Sequence, residues 1–102
     1  MGAVIYGKHE FYSKPHGIHT TESEFSVKGL TILPRVDVIY AGVDSPADLI
    51  DFSIKAGAKG IVIAGVGNGN MNAASLAACK KAAESGIAIV RSTRVPTGYV
   101  LR

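Results

Sequence analysis

The hexapeptide Gly65-Val66-Gly67-Asn68-Gly69-Asn70 has the residue types of a binding turn. Glycines at alternate positions permit left-handed backbone and the close approach of a ligand. The two carboxamides can each donate and accept hydrogen bonds. Two chemistries compete for such a turn. As a phosphate cradle it must satisfy G-x-G-x-x-G. Gly65 and Gly67 match, but Gly69 arrives one residue early and Asn70 stands in the sixth place. That fingerprint also asks for an acidic residue at the end of the next strand to bind a ribose, where this sequence has Arg91-Ser92. No Gly-Lys-Ser/Thr follows, which excludes a P-loop. As a polar turn, the segment suits an amino or carboxylate group, or another side chain that needs orienting. A structural reading stands beside both: Asn70 or Asn72 caps the helix that follows.

Other chemistry-bearing residues are less well arranged. His9, His16 and His19 fall in a hairpin turn and an irregular loop, without a cysteine partner or the i, i+4 spacing of a helical metal pair. No metal site is expected. No G-x-S-x-G elbow is present to hold a nucleophilic serine. Arg91 and Arg94 flank a strand end and suit either an anion or, as the favoured reading, a salt bridge that fixes the turn. Cys79, in Ala-Ala-Cys-Lys-Lys, reads as a small packed helix residue rather than a nucleophile.

The elements that must position these residues follow from punctuation and periodicity. Val4–Tyr6 and Phe11–Ser13 read as the arms of a hairpin around Gly-Lys-His-Glu. An irregular stretch from Pro15 to Arg35 follows, with Phe25 and Val27 expected to tack it onto a neighbouring surface. Val36–Tyr40 is a short strand. The next helix is expected to have Ser45 as N-cap, Pro46 at the first helical position and Asp48 completing a capping box. Leu49, Phe52, Ser53 and Ala56 form its inner stripe, widened by Ile50 and Ile54, and Gly57 closes it. Gly60–Ala64 is a strand apolar on both faces, as in covered parallel sheets. Asn72–Ser85 is an alanine-rich helix ended by Gly86, and Ile87–Ser92 is a third strand. The order β-α-β-α-β predicts a parallel sheet with right-handed crossovers. Ligands of such sheets collect at the carboxyl ends of strands, where the hexapeptide lies.

Composition bounds the function classes. With 102 residues, 47% hydrophobic and 19% charged, the chain suits one small ordered domain or a piece of a larger one. A net charge of +3, scattered along the chain, is no nucleic-acid footprint. The single cysteine allows no internal disulfide, and no apolar run is long enough for a membrane span. Three strands and two helices make an incomplete layer, so the sequence reads as truncated at both ends.

Two long segments then carry a resemblance. Gly60–Asn70, "GIVIAGVGNGN", and Gly86–Gly98, "GIAIVRSTRVPTG", closely resemble the C-terminal domain of bacterial type II L-asparaginases, the glutaminase-asparaginase family. The upstream segments "HTTESEFSV" and "LPRVDVIYAGVDSPADLIDFSIKAGAKGIV" agree in order and register. The resemblance covers essentially the whole chain, but only part of the family's usual length. It implies that residues 1–34 are the hairpin and interdomain linker from the end of an N-terminal domain. Residues 35–102 would be part of an α/β, Rossmann-like C-terminal domain, an incomplete parallel βαβαβ layer.

The implied reaction is hydrolysis of L-asparagine to L-aspartate and ammonia, with L-glutamine as a second substrate and no cofactor. The family's threonine nucleophile and its helpers belong to the part preceding Met1. Thr20 and Thr21 are not those residues, so no catalytic residue is expected here and the chain alone should be inactive. The resemblance implies that Asn70, and secondarily Asn68, binds substrate across a subunit interface, on a loop shaped by Gly65, Gly67 and Gly69. It further implies a homo-oligomer, an intimate dimer within a tetramer, with no nucleic-acid or membrane partner, and a periplasmic or secreted parent. A substrate-binding glutamate would lie past Arg102. Met71-Asn72 departs from the Leu-Tyr of many members, which bears on local interface packing. The competing readings are a nucleotide-binding half-domain and a purely structural or oligomerisation module.

Overall fold

The computed structural model describes residues 2–5, 7–11, 20–98 and 100–101. The chain divides into two units, Met1–Ile32 and Leu33–Arg102.

In the first unit, strands β1 (Gly2–Ile5) and β2 (Lys8–Phe11) pair antiparallel, with Ile5 opposite Lys8 and Gly2 opposite Phe11. The expected turn at Gly-Lys-His-Glu is therefore corrected. Only two residues separate the strands, and Lys8, His9 and Glu10 belong to the ladder. Gly7 at φ 76° explains the difference, because two-residue hairpin loops need positive φ to match the strand twist. Tyr12 and Ser13, expected on the second arm, lie outside the described residues, as do His16 and His19. A single 3-10 turn covers Thr20–Glu22. Beyond it the backbone is organised locally: Phe25 and Lys28 donate N–H groups to the hydroxyls of Ser23 and Ser26 at 3.1 and 3.2 Å. Phe25 and Val27, expected to be tacked down, are 79% and 72% exposed. These short-range hydroxyl turns hold the segment without burying either side chain.

The second unit is a three-stranded parallel sheet in the order β3-β4-β5, formed by β3 (Val36–Tyr40), β4 (Gly60–Gly65) and β5 (Ala88–Thr93). Helices α1 (Asp48–Lys55) and α2 (Ala73–Glu84) make the two crossovers. Monotonic order puts β4 in the centre, and its sequence suits that place. Ile61 and Ile63 are 0% and 1% exposed and pack with Ile50, Cys79 and Ala82 from the helices. Burying one such isoleucine contributes about 1.5–3 kcal/mol. Ile39, Ile54, Ile87 and Ile89 complete this cluster from its rim.

The other sheet face is different. Val38, Val62 and Val90 lie in one register row, yet Val38 is 58% and Val90 53% exposed, and Tyr40 is 70% exposed. Both described helices pack on the Ile61 side, so only one face of the doubly apolar strand is covered by them.

The start of α1 also departs from expectation. Its N-cap is Ala47, without a side-chain cap, and Pro46 lies outside the helix. The Ser45 hydroxyl instead accepts the Gly42 N–H at 2.5 Å. The hydroxyl is thus turned to the loop three residues back rather than to the helix start, and the helix begins at Asp48. The buried face shifts with it. Ile50 and Ser53 are buried, whereas Leu49 and Phe52 are 45% and 67% exposed. The end matches expectation: Gly57 adopts φ 89° directly after the Ala56 cap, a conformation that costs glycine nothing sterically.

Candidate functional site

Three loops gather at the carboxyl ends of the parallel strands, and the hexapeptide after β4 is the most tightly built. Val66 and Asn70 exchange backbone hydrogen bonds of 2.9 and 2.8 Å, closing a narrow turn. Gly67 and Gly69 make the reversal at φ 54° and 76°. Gly65 serves a different purpose. A Cβ there would lie 2.4 Å from the Gly69 carbonyl carbon and 2.6 Å from the Asn70 carbonyl oxygen. Backbone passes directly over it, so no side chain fits. The turn is also sewn to the third loop, because Arg94 donates its N–H to the Gly65 carbonyl at 2.9 Å.

The three asparagines of this segment go to different places. Asn72 is the N-cap of α2, its Oδ1 accepting the Ser75 N–H at 2.8 Å. Its Nδ2 donates to the Ser45 carbonyl, also at 2.8 Å, so one carboxamide joins the helix start to the loop after β3. Of the two candidates for capping, Asn72 takes the role and Asn70 does not. The Asn68 carboxamide accepts from the Leu101 N–H. The Asn70 side chain is exposed and takes part in no hydrogen bond among the described residues.

Asn70 lines a hollow of about 190 Å³ together with Gly42, Val43, Val66, Met71 and Asn72. This is the crevice beyond the carboxyl ends of β3 and β4, where open α/β sheets place ligands. A larger hollow of about 460 Å³ runs along the free edge of β3 between Val36, Tyr40, Leu49 and Phe52. Its charged members, Arg35 and Asp37, are spent on each other at 2.9 and 3.0 Å. The bidentate hydrogen bond from Arg35 holds the Asp37 carboxyl below the usual carboxylate range, and the Ser53 hydroxyl pulls in the same direction. The smaller hollow therefore has the better claim to a ligand, since it holds a carboxamide with no hydrogen-bond partner among the described residues.

The geometry also bears on the phosphate reading. The Ser75 N–H, one of the donors that an anion at the α2 N-terminus would claim, is already satisfied by Asn72. Among the described residues neither Arg91 nor Arg94 forms a salt bridge; the Arg91 guanidinium donates to the Leu101 carbonyl at 2.7 Å. Cys79 is 4% exposed, and burial pushes its thiol pKa up, the opposite of nucleophile activation. Its thiol rests 3.9 Å from the Met71 sulfur. No group of three or more potential metal ligands occurs among the described residues. Sequence reasoning missed the second contact of Asn72 and the loop role of Ser45. A polar residue before a helix signals a cap, but nothing in the sequence reports a hydrogen bond across 27 residues.

Comparison with known proteins agrees with this arrangement. Residues 35–102 match the glutaminase/asparaginase C-terminal domain family. The chain is similar to a probable periplasmic L-asparaginase of Haemophilus influenzae, at 43% identity over all of the chain and 29% of the relative. It is also similar to L-asparaginase 2 of Bacillus subtilis, at 43% identity over 94% of the chain and 24% of the relative. L-asparaginase 2 of Escherichia coli is 40% identical over 96% of the chain and 28% of its own length. The chain thus spans less than a third of these relatives. With the parallel sheet, the crossovers and the β4 turn all in the matched region, the chain belongs to the glutaminase/asparaginase family, and residues 35–102 belong to its C-terminal domain.

Proposed function

We propose that this chain is part of an L-asparaginase, which hydrolyses the side-chain amide of L-asparagine to L-aspartate and ammonia. In this reading the chain lends Asn70 to the substrate site of a neighbouring subunit. The observation that carries it is the Asn70 carboxamide, exposed at the rim of the crevice on a tightly closed turn and without a hydrogen-bond partner among the described residues. A carboxamide donates and accepts at once, which suits the ammonium and carboxylate of an amino acid. L-Glutamine presents the same amino-acid end, and its hydrolysis falls under the same proposal. The active assembly is then a homo-oligomer, since the turn serves a site it does not itself complete. The reading extends to a periplasmic or secreted parent, supported by the name of the Haemophilus relative.

The test is Asn70→Ala in the parent-length enzyme. Loss of a hydrogen bond to a charged group costs roughly 1.5–3 kcal/mol, which is about ten- to hundredfold in kcat/KM. The melting temperature is expected to stay near that of the wild type, because the exposed side chain makes no hydrogen bond among the described residues. Unchanged kinetics with a lowered melting temperature would make Asn70 a structural residue and refute the proposal.

A further inference from the structure

The turn after β4 and the segment after β5 are joined through both polar groups of one backbone residue. The Leu101 N–H donates to Asn68 Oδ1, and the Leu101 carbonyl accepts from Arg91 Nη2 at 2.7 Å. Asn68 lies 33 residues away in sequence and Arg91 lies 10 away. Backbone donors and acceptors demand partners, which a neighbouring strand usually supplies. Here two side chains take the place of that strand, and the arginine bond is charge-assisted. Gly69 makes the arrangement possible. A Cβ there would come 2.8 Å from Arg91 Cγ and 3.2 Å from Arg91 Cδ, so the arginine stem crosses the turn between Asn68 and Asn70. The Asn68 carboxamide is thereby directed at the chain, and Asn68 does not line the hollow that Asn70 lines.

We infer that Asn68 and Arg91 are positioning residues, a clamp on the Leu101 backbone that locks the Asn70 turn to the segment following β5. A turn with two glycines at positive φ has a wide choice of conformations. The clamp removes that choice before anything binds, which is the physical content of preorganisation. It also reassigns Asn68 from contacting substrate to holding the residue that does. The inference rests on the proposed function only for what Asn70 recognises, because the clamp can be observed without substrate.

Amide hydrogen exchange followed by NMR on the 102-residue chain tests it. In the wild type the Leu101 amide is expected to exchange more slowly than an unstructured amide. Asn68→Ala accelerates Leu101 and the turn amide of Asn70 by roughly three- to tenfold, the scale of one lost hydrogen bond. Asn68→Asp keeps an oxygen acceptor in place and retains the protection. Arg91→Ala reproduces the Asn68→Ala effect in part, and the Ile63 amide in β4 stays protected in every variant, separating the clamp from unfolding. In the parent-length enzyme Asn68→Ala raises KM with little change in kcat, and Asn68→Asp restores it. An unprotected Leu101 amide in the wild type overturns the inference, as does protection that survives Asn68→Ala. Acceleration of Leu101 without acceleration of Asn70 also overturns it, because the turn would then not depend on the clamp. If instead Asn70→Ala leaves the kinetics unchanged while these exchange effects appear, the proposed function fails and the clamp stands.

Discussion

Asn68, Asn70 and Asn72 look alike in the sequence, and the structure separates them by where their carboxamides end. One accepts from a distant backbone amide, one lines the crevice without a hydrogen-bond partner among the described residues, and one caps a helix while bridging two loops. Their spacing announced a polar turn but not this division. The ion pair of Arg35 with Asp37 shows the same limit. Its residues are two apart and lie on one face of the extended chain, yet spacing alone does not say whether the exposed arginine folds back onto that carboxylate or stays in solvent. It makes a prediction about acid stability. The hydrogen bonds from Arg35, and then Ser53, lower the Asp37 pKa in the folded state. Such a group stabilises the fold above its unfolded pKa and loses that contribution as pH falls through the folded value. Asp37→Asn is therefore expected to narrow the stability difference from wild type as pH drops below about 4. Denaturation midpoints at pH 7 and pH 3 check this. A difference that grows on acidification contradicts the sign. High salt should shrink the pH 7 difference, because the pair is open to solvent.

At the scale of elements, strand and helix identities in the second unit were readable because their signals are local. Alternation and apolar runs mark β3, β4 and β5, and Gly57 and Gly86 close the helices with φ of 89° and 84°. The start of α1 was misread because Ser45 carries the same local signal whether it caps a helix or bonds back to Gly42. The competition is decided by the path of the loop. The inner face of α1 was misplaced for a related reason. A helix eight residues long offers several plausible stripes, and contact with α2 and β3 selects Ile50 and Ser53. The two faces of the sheet give a quantitative test. Ile61→Ala leaves a cavity among Ile50, Ile63 and Ala82 and is expected to cost about 2–5 kcal/mol. Val38→Ala, on the exposed face, should change stability by no more than about 0.5 kcal/mol. Urea denaturation of both variants measures the contrast. Equal losses would show that the exposed face is packed in solution.

At the scale of the whole molecule, the chain covers less than a third of its relatives, and in the proposed reading it contributes one side of a binding site. Amide hydrolysis by a hydroxyl needs a nucleophile, a base to activate it and donors aimed at the developing oxyanion. Among the described residues, the Thr93 hydroxyl accepts the Val95 N–H at 3.1 Å, and the one ion pair joins Arg35 to Asp37. We predict that the purified 102-residue polypeptide, verified by intact mass, releases no ammonia from L-asparagine. A coupled ammonia assay decides it, and turnover above the buffer rate would show that the chain carries a nucleophile of its own.

The sequence by itself determined the family, the order of elements and the turn where chemistry was to be sought. These are written in contiguous residues: the glycines that permit reversal, the apolar runs that must be buried, and the motif shared with relatives. Tertiary structure decided which asparagine lines the crevice, which serine turns back to its own loop and which apolar face lies under the helices. The first depends on partners 27 or 33 residues away, the second on the loop path that returns Ser45 to Gly42, and the third on the face of the sheet that two crossovers happen to cover. Hydrogen bonds and packing act over a few ångströms in space, and only the folded chain fixes which residues share that space.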